Sequence, residues 1–397
     1  ALLDHFGAKH LDAVPPFACI THSTGGPVLR EWSAALVEKG LETPLTHLIM
    51  LAPANHGSAL AQLGSSRLGR IKSWFGGVEP GELILRWLEL GSAEQWTLNT
   101  RELKEEDEPS KNRPFRFVLS GQTIDRKLYD HLNSYTDEAG SDGVVRLAAA
   151  NLNYRLVDLV QTSHRWPDGS KAHRLEIGAQ TLYRSRRTPF LVIPNVAHSG
   201  RDLGIMRSVS LRGDRPPIVD AILRCLDVQN ADHYEALADS FAKETEVTQL
   251  QEKVERCSMI SFCFQDDQGE ALQDYDMLLL AGPDWDPDLL PNGFFKDRQR
   301  NSKERNKLIY YLSHDRMSKL SSVGIRVTAR PQGKLAGYLP AEFRSSAAGL
   351  KIKDVLLANE TTLVRVTLLR RVDREVFRID SGARRRSFKG ARASGDL

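Results

Sequence analysis

The sequence predicts an α/β domain built on a largely parallel sheet, followed by a separate all-β domain, and three observations carry that prediction. Over the first half, short β-rich runs alternate with helical stretches and each run ends in a polar loop, as in parallel sheets whose sites lie at the strand C-termini. One of those loops is a sharp strand-to-helix turn around a serine. Beyond about residue 256, closely spaced strand-like runs are broken by Gly, Pro, Asn and Asp clusters. The length of 397 residues suits two or three domains at about 150 residues each, and a hydrophobic content of 41% is ample for their cores.

The run FACIT (17–21) is followed by His22-Ser23-Thr24-Gly25-Gly26 and then by PVLREWSAALVEKG, where Val28, Leu29, Trp32 and Leu36 recur at helical spacing. This reads as strand, tight turn, helix. THLIML (46–51) ends in APANHGS, FRFVLS (115–120) in SGQTID, and PFLVIP (189–194) in NVAHSG. An insertion at about 58–113 holds Trp74, Trp87 and Trp96, half of the six tryptophans, beside Phe75, and reads as a lid. Within it GELILRWLEL confines Glu82, Arg86 and Glu89 to one narrow stripe, leaving Leu83, Ile84, Trp87, Leu88 and Leu90 on a wide apolar face. A second insertion, about 151–188, is polar and Arg-rich and is expected to cap the other side. The expected boundaries are thus a catalytic domain at 1–231, a charged helical linker at 232–256, a β-rich sandwich-like domain at 257–380 and a basic tail at 381–397.

Composition excludes several functions. Lys+Arg 54 against Asp+Glu 51 gives +3, and the tail alone holds Arg384, Arg385, Arg386, Lys389 and Arg392 against Asp396. The other residues are therefore close to neutral, without the basic face that nucleic-acid binding requires. Four cysteines, Cys19, Cys225, Cys257 and Cys263, make neither a disulfide framework nor a CxxC pair. The longest apolar runs, such as MLLLA at 277–281, fall far short of the roughly 18–20 residues that span a bilayer. No signal peptide opens the chain, and a first residue of Ala1 reads as a segment cut from something longer.

Thr21-His22-Ser23-Thr24-Gly25 matches the nucleophile-elbow pattern except that Thr21 replaces its first glycine. Such a turn lifts the Ser23 hydroxyl clear of the sheet, and the Thr24 amide at the helix N-terminus points at a developing oxyanion, worth a few kcal/mol. A serine in this position also serves as an ordinary N-cap, so the reading turns on its partners. Serine needs a histidine to take its proton and an acid to hold that histidine in the right tautomer. Asp142, in GSDGVV after the third strand, and His198, in NVAHSG after the fourth, follow in the order Ser, Asp, His. Asp125 is the alternative acid; Asp142 is favoured because Gly140 and Gly143 bracket it in a tight loop. Of the other histidines, His22 is expected to point away from Ser23, while His56 is expected to line the pocket.

The strings THSTGGPVLREW, IMLAPANHGSAL, SDGVV and NVAHSG resemble those of α/β-hydrolase lipases, in order over about 180 residues. The pairing of a lid-bearing lipase with a C-terminal β domain resembles the bacterial type VI secretion phospholipase effectors, in the branch similar to the GPI inositol-deacylase. That resemblance implies a serine esterase acting on phospholipid at a membrane surface, made in the bacterial cytoplasm, delivered to a target cell's periplasm, and restrained by a cognate immunity protein. It also implies strands before the elbow and a second oxyanion amide from one of their loops. With 22 residues before Ser23, the hydrolase fold is expected to be N-terminally incomplete, completed by an upstream segment or a companion chain. No cofactor is called for. Asp284, Asp286 and Asp288, near Asp274 and Asp276, offer oxygen ligands for Ca²⁺ but lack the glycine turn and spaced glutamate of an EF-hand. The competing functions are a soluble carboxylesterase or thioesterase and an inactive hydrolase-fold binding module.

Overall fold

The structure, a computed structural model, describes residues 2–62, 81–105, 113–124, 139–200, 202–206, 216–331, 336–349 and 355–372. The first strands are β1 (Phe17–His22), β2 (Leu45–Leu51), β3 (Phe115–Gly121), β4 (Tyr154–Arg165), β5 (His173–Arg184) and β6 (Phe190–Ile193). After them come β7 (Cys257–Asp266), β8 (Tyr275–Ala281), β9 (Phe295–Arg300), β10 (Lys307–Ser313) and β11 (Val323–Ala329). The last are β12 (Ala336–Gly337), β13 (Ala341–Arg344), β14 (Thr361–Leu368) and β15 (Arg371–Val372), of which β12 and β15 form a two-stranded sheet among the described residues.

The first sheet has the order β1-β2-β3-β6, with every pair parallel. Its inner strands read as continuous apolar runs because both faces are covered. The period of two then divides them. Leu48, Met50, Val118 and Val192 pack on one face with Trp96 and Leu88. Ile49, Leu51, Phe117, Leu119, Leu191 and Ile193 pack on the other, against the helices Pro217–Leu226 and Ala231–Glu252. The second of these helices is the expected linker. It is instead a covering helix of the first sheet: Asn230 caps it by accepting from the His233 amide at 2.9 Å, and it buries Tyr234, Leu237, Ala238, Phe241 and Thr245. Those residues recur every three or four positions, so the charged surface composition conceals one apolar stripe.

The β domain is a single nine-stranded mixed sheet in the order β8-β11-β13-β5-β4-β14-β7-β10-β9. The expected cap at 151–188 does not form. Its residues make the long antiparallel pair β4–β5 at the centre of this sheet, where β4 pairs parallel with β14 and β5 parallel with β13. Parallel pairing demands a long crossover, which only strands far apart in the chain can supply, so local texture did not reveal it. The sheet curls: the rings of Phe264 of β7 and Tyr275 of β8, far apart in strand order, meet with centroids 4.1 Å apart and planes tilted by 35°. Both ends therefore share one apolar core containing Val157, Leu159, Phe262, Val327 and Val366.

Of the expected lid, the helices Ala59–Gln62, Glu82–Leu88 and Ala93–Glu105 are described, while Trp74 and Phe75 lie outside the described residues, as do Asp125 and the 381–397 tail. Trp96, Leu85 and Leu88 are buried in the core, whereas Leu83 and Ile84 are exposed. No helix among the described residues is long and apolar enough to cross a membrane.

Candidate active site

Because the first sheet is parallel, the loops after β1, β2, β3 and β6 leave it at one edge. β1 ends at His22 and the helix Gly25–Glu38 begins three residues later, so the chain must reverse within Ser23 and Thr24. Ser23 does so with φ +54, in the left-handed region costly for a side chain with Cβ. Its amide donates to the Leu51 carbonyl at 2.9 Å, which ties the turn to β2. Thr24 takes the N-cap position at the positive end of the helix dipole. Helix and sheet approach so closely that a Cβ on Gly26 would stand 2.7 Å from that of Pro53. Thr21, where the elbow pattern has glycine, is accommodated by Gly25, whose own Cβ would meet that of Thr21 at 3.0 Å.

Ser23, His198 and Asp142 come together. Ser23 Oγ lies 3.1 Å from His198 Nε2, and His198 Nδ1 lies 2.9 Å from Asp142 Oδ2. The carboxylate can only accept, so Nδ1 donates to it and Nε2 is left to accept from the serine hydroxyl. The other carboxylate oxygen, Oδ1, accepts the amides of Val144 at 3.0 Å and Val145 at 2.7 Å. The His198 amide donates to the Asp142 carbonyl at 3.0 Å. Both side chains are fully buried, and Ser23 is 5% exposed.

His22 was expected to point away from Ser23. Its Nε2 donates to the His198 carbonyl at 3.1 Å and its ring lies 4.8 Å from the His198 ring. Burial, and then the neighbouring His198, lower its pKa to about 4, so it stands beside the relay as a neutral donor. Adjacency to Ser23 was its only signal in the sequence.

His56 lies in a buried polar cluster. Its ring lies edge-on to Tyr154 and 3.1 Å from the Asn99 amide, and burial, followed by the Arg30 guanidinium, lowers its pKa to about 3. Arg30, 1% exposed, is the hub. It donates to Glu102 through Nε at 3.1 Å and Nη2 at 2.8 Å, to Asn55 Oδ1 at 3.1 Å and to Asn99 Oδ1 at 2.7 Å. Arg116 reaches the same carboxylate at 2.8 Å. Burial acts to raise the Glu102 pKa, but Arg30 and Arg116 outweigh it and hold the group at about 2. Arg30 could have been found in the sequence, because it shares a helical face with Pro27 and Ala34, and a charge on a buried face needs a carboxylate.

Among the described residues no three His, Cys, Asp or Glu side chains converge to hold a metal ion. In the acidic loop Asp286 caps the following turn, accepting the Asp288 amide at 2.9 Å, and Asp274 and Asp276 both pair with Arg330.

No protein-family model and no curated protein sequence matches the chain. Solved structures do. Phospholipase PlaB from Legionella pneumophila superposes with a TM-score of 0.84 at 44% identity, over 96% of this chain and 83% of its own. The same phospholipase in complex with thio-NAD gives a TM-score of 0.84 at 43% identity, over 96% and 82%. At that identity and coverage the likeness extends through both sheets, and the chain belongs to the PlaB family of α/β-hydrolase-type proteins.

Proposed function

We propose that the protein is a phospholipase that cleaves acyl esters of phospholipids at a membrane surface, with Ser23 as nucleophile, His198 as base and Asp142 as the acid that orients it. The observation that carries this reading is the uninterrupted relay from Ser23 Oγ through the His198 ring to Asp142 Oδ2. His198 takes the hydroxyl proton as Ser23 Oγ bonds to the ester carbonyl carbon. The negative charge that develops on the carbonyl oxygen faces the Thr24 amide. Collapse breaks the bond to the alcohol oxygen, which leaves as lysolipid with the proton from His198. Water, deprotonated by the same imidazole, then releases the fatty acid and restores Ser23.

The test is labelling by a fluorophosphonate probe together with a lipid digest. Wild type is expected to take up label and to release fatty acid and lysolipid in equal amounts, and Ser23→Ala to do neither. Release of phosphorylated headgroup, or labelling of Ser23→Ala at the wild-type rate, rules the reading out.

Action at an interface is supported by the exposure of Leu83 (76%) and Ile84 (45%) on one short helix. Changing both to serine should weaken vesicle binding about tenfold or more, since burying one such side chain is worth about 1.5–3 kcal/mol, while turnover of a dispersed soluble ester should not change. A vesicle co-sedimentation assay beside a soluble-ester assay separates the two effects.

β1 pairs only with β2 among the described strands, and we propose that its other edge receives a further strand, from an upstream segment or a companion chain, whose loop adds a second oxyanion donor. Delivery as an antibacterial effector is a proposal from the sequence strings; it predicts lysis when the chain is expressed in a host periplasm and protection by an immunity protein.

A further inference from the structure

We infer that the β domain positions the acid of the relay, with Tyr311 of β10 and the Arg146–Asp297 ion pair latching the Asp142 loop from outside the first sheet. The inference rests on the serine-hydrolase reading and gives the second sheet a part in it. The loop is a closed ring: the Leu147 amide donates to the Gly140 carbonyl at 2.8 Å, with Asp142 between them. Tyr311, 1% exposed, grips the point of closure. Its hydroxyl donates to the Ala139 carbonyl at 2.7 Å, with the Gly140 carbonyl 3.3 Å away. The approach is close enough that a Cβ on Gly140, already at φ +73, would stand 2.8 Å from the Tyr311 oxygen.

The other end of the ring is held by the same residue. Arg146 lays its guanidinium 4.3 Å over the Tyr311 ring and pairs with Asp297 of the neighbouring strand β9. Two residues further, in the short helix Leu147–Ala150, the Ala148 carbonyl accepts from Thr361 of β14 at 2.6 Å. On its opposite side the ring meets the catalytic half, where Ser58 Oγ donates to the Val144 carbonyl at 2.6 Å. Asp142 is thus presented to His198 from a loop whose two ends are fixed by the second sheet. A shift of about 1 Å in a group that orients a catalytic side chain can cost 10²-fold, so loosening these ends should be felt at Ser23 although neither Tyr311 nor Asp297 touches the relay.

The test compares Tyr311→Phe and Asp297→Asn with Tyr310→Phe, the same hydroxyl deletion on the adjacent residue, which faces the other core. Tyr311→Phe keeps the buried ring, and Asp297→Asn alters a partly exposed group, so a folding failure of one leaves the other informative. Each is expected to lower kcat about 10–100-fold with KM for a soluble ester unchanged. Each should also move the acid limb of the kcat/KM profile and broaden the downfield proton resonance of His198 Nδ1, which a merely structural defect would leave alone. Tyr310→Phe should alter none of the three. If Ser23→Ala and Asp142→Asn are inactive while Tyr311→Phe and Asp297→Asn keep wild-type kcat, acid limb and resonance, or if Tyr310→Phe changes them equally, the latch is wrong and the hydrolase reading stands. If Ser23→Ala itself retains activity, the hydrolase reading falls and the latch with it.

Discussion

Asp142→Asn is expected to lower kcat by about four orders of magnitude while leaving the fold and KM nearly unchanged. The substitution keeps a carbonyl oxygen for the Val144 and Val145 amides, so the loop retains its internal bonds. It replaces the oxygen that faces His198 Nδ1 with an N–H donor. Nδ1 must then accept, the ring proton moves to Nε2, and the imidazole can no longer take the proton of Ser23. Asp142→Ala is a poorer probe, because it also strips the loop amides of their acceptor. Circular dichroism beside single-turnover kinetics on a soluble ester separates the two cases, and Asp125→Asn is the comparison that should change little. A loss of less than about tenfold for Asp142→Asn means that another acid orients His198.

Glu102→Gln is expected to be the most damaging single change to stability, by about 3–5 kcal/mol, the usual cost of leaving one partner of a buried ion pair uncompensated. The asymmetry within the pair is the sharper test. Arg30→Met leaves Glu102 still paired with Arg116, at the more open end of the cluster, and should cost less. Glu102→Gln leaves the Arg30 guanidinium, wholly enclosed, with only amide and carbonyl oxygens. Denaturant midpoints of the three proteins decide the order. The pH dependence has a definite sign: the folded pKa lies below the unfolded one, so the carboxylate stabilises the fold above the ordinary carboxylate range. The gap between wild type and Glu102→Gln should therefore persist at neutral pH and close as pH falls toward about 2.

The relay was legible because its signals are local. A β run, a serine, two glycines and an amphipathic helix lie within about twenty residues, and Asp142 and His198 each follow a readable strand. What escaped the sequence is nonlocal or compositional. Nothing around Tyr154–Val160 announces that its partner is Thr361–Thr367, because a parallel pair carries no connecting turn. The charges of the helix Ala231–Glu252 suggest a linker, although Tyr234, Leu237, Phe241 and Thr245 mark a buried stripe. His22 and Tyr311 owe their placement to tertiary contact alone, and periodicity has no access to that.

The position of β14 has a kinetic consequence. It lies between β4 and β7, pairing with strands some 200 and 100 residues earlier in the chain. The central sheet therefore closes only after residues 361–368 have been synthesised, and such high contact order makes closure slow. Until then β4 and β7 have no common neighbour, and the platform under the Asp142 loop is unfinished. A nascent chain would carry Ser23 and His198 long before it carries an ordered acid, so the ability to attack lipid should arise late, as one of the last events of folding.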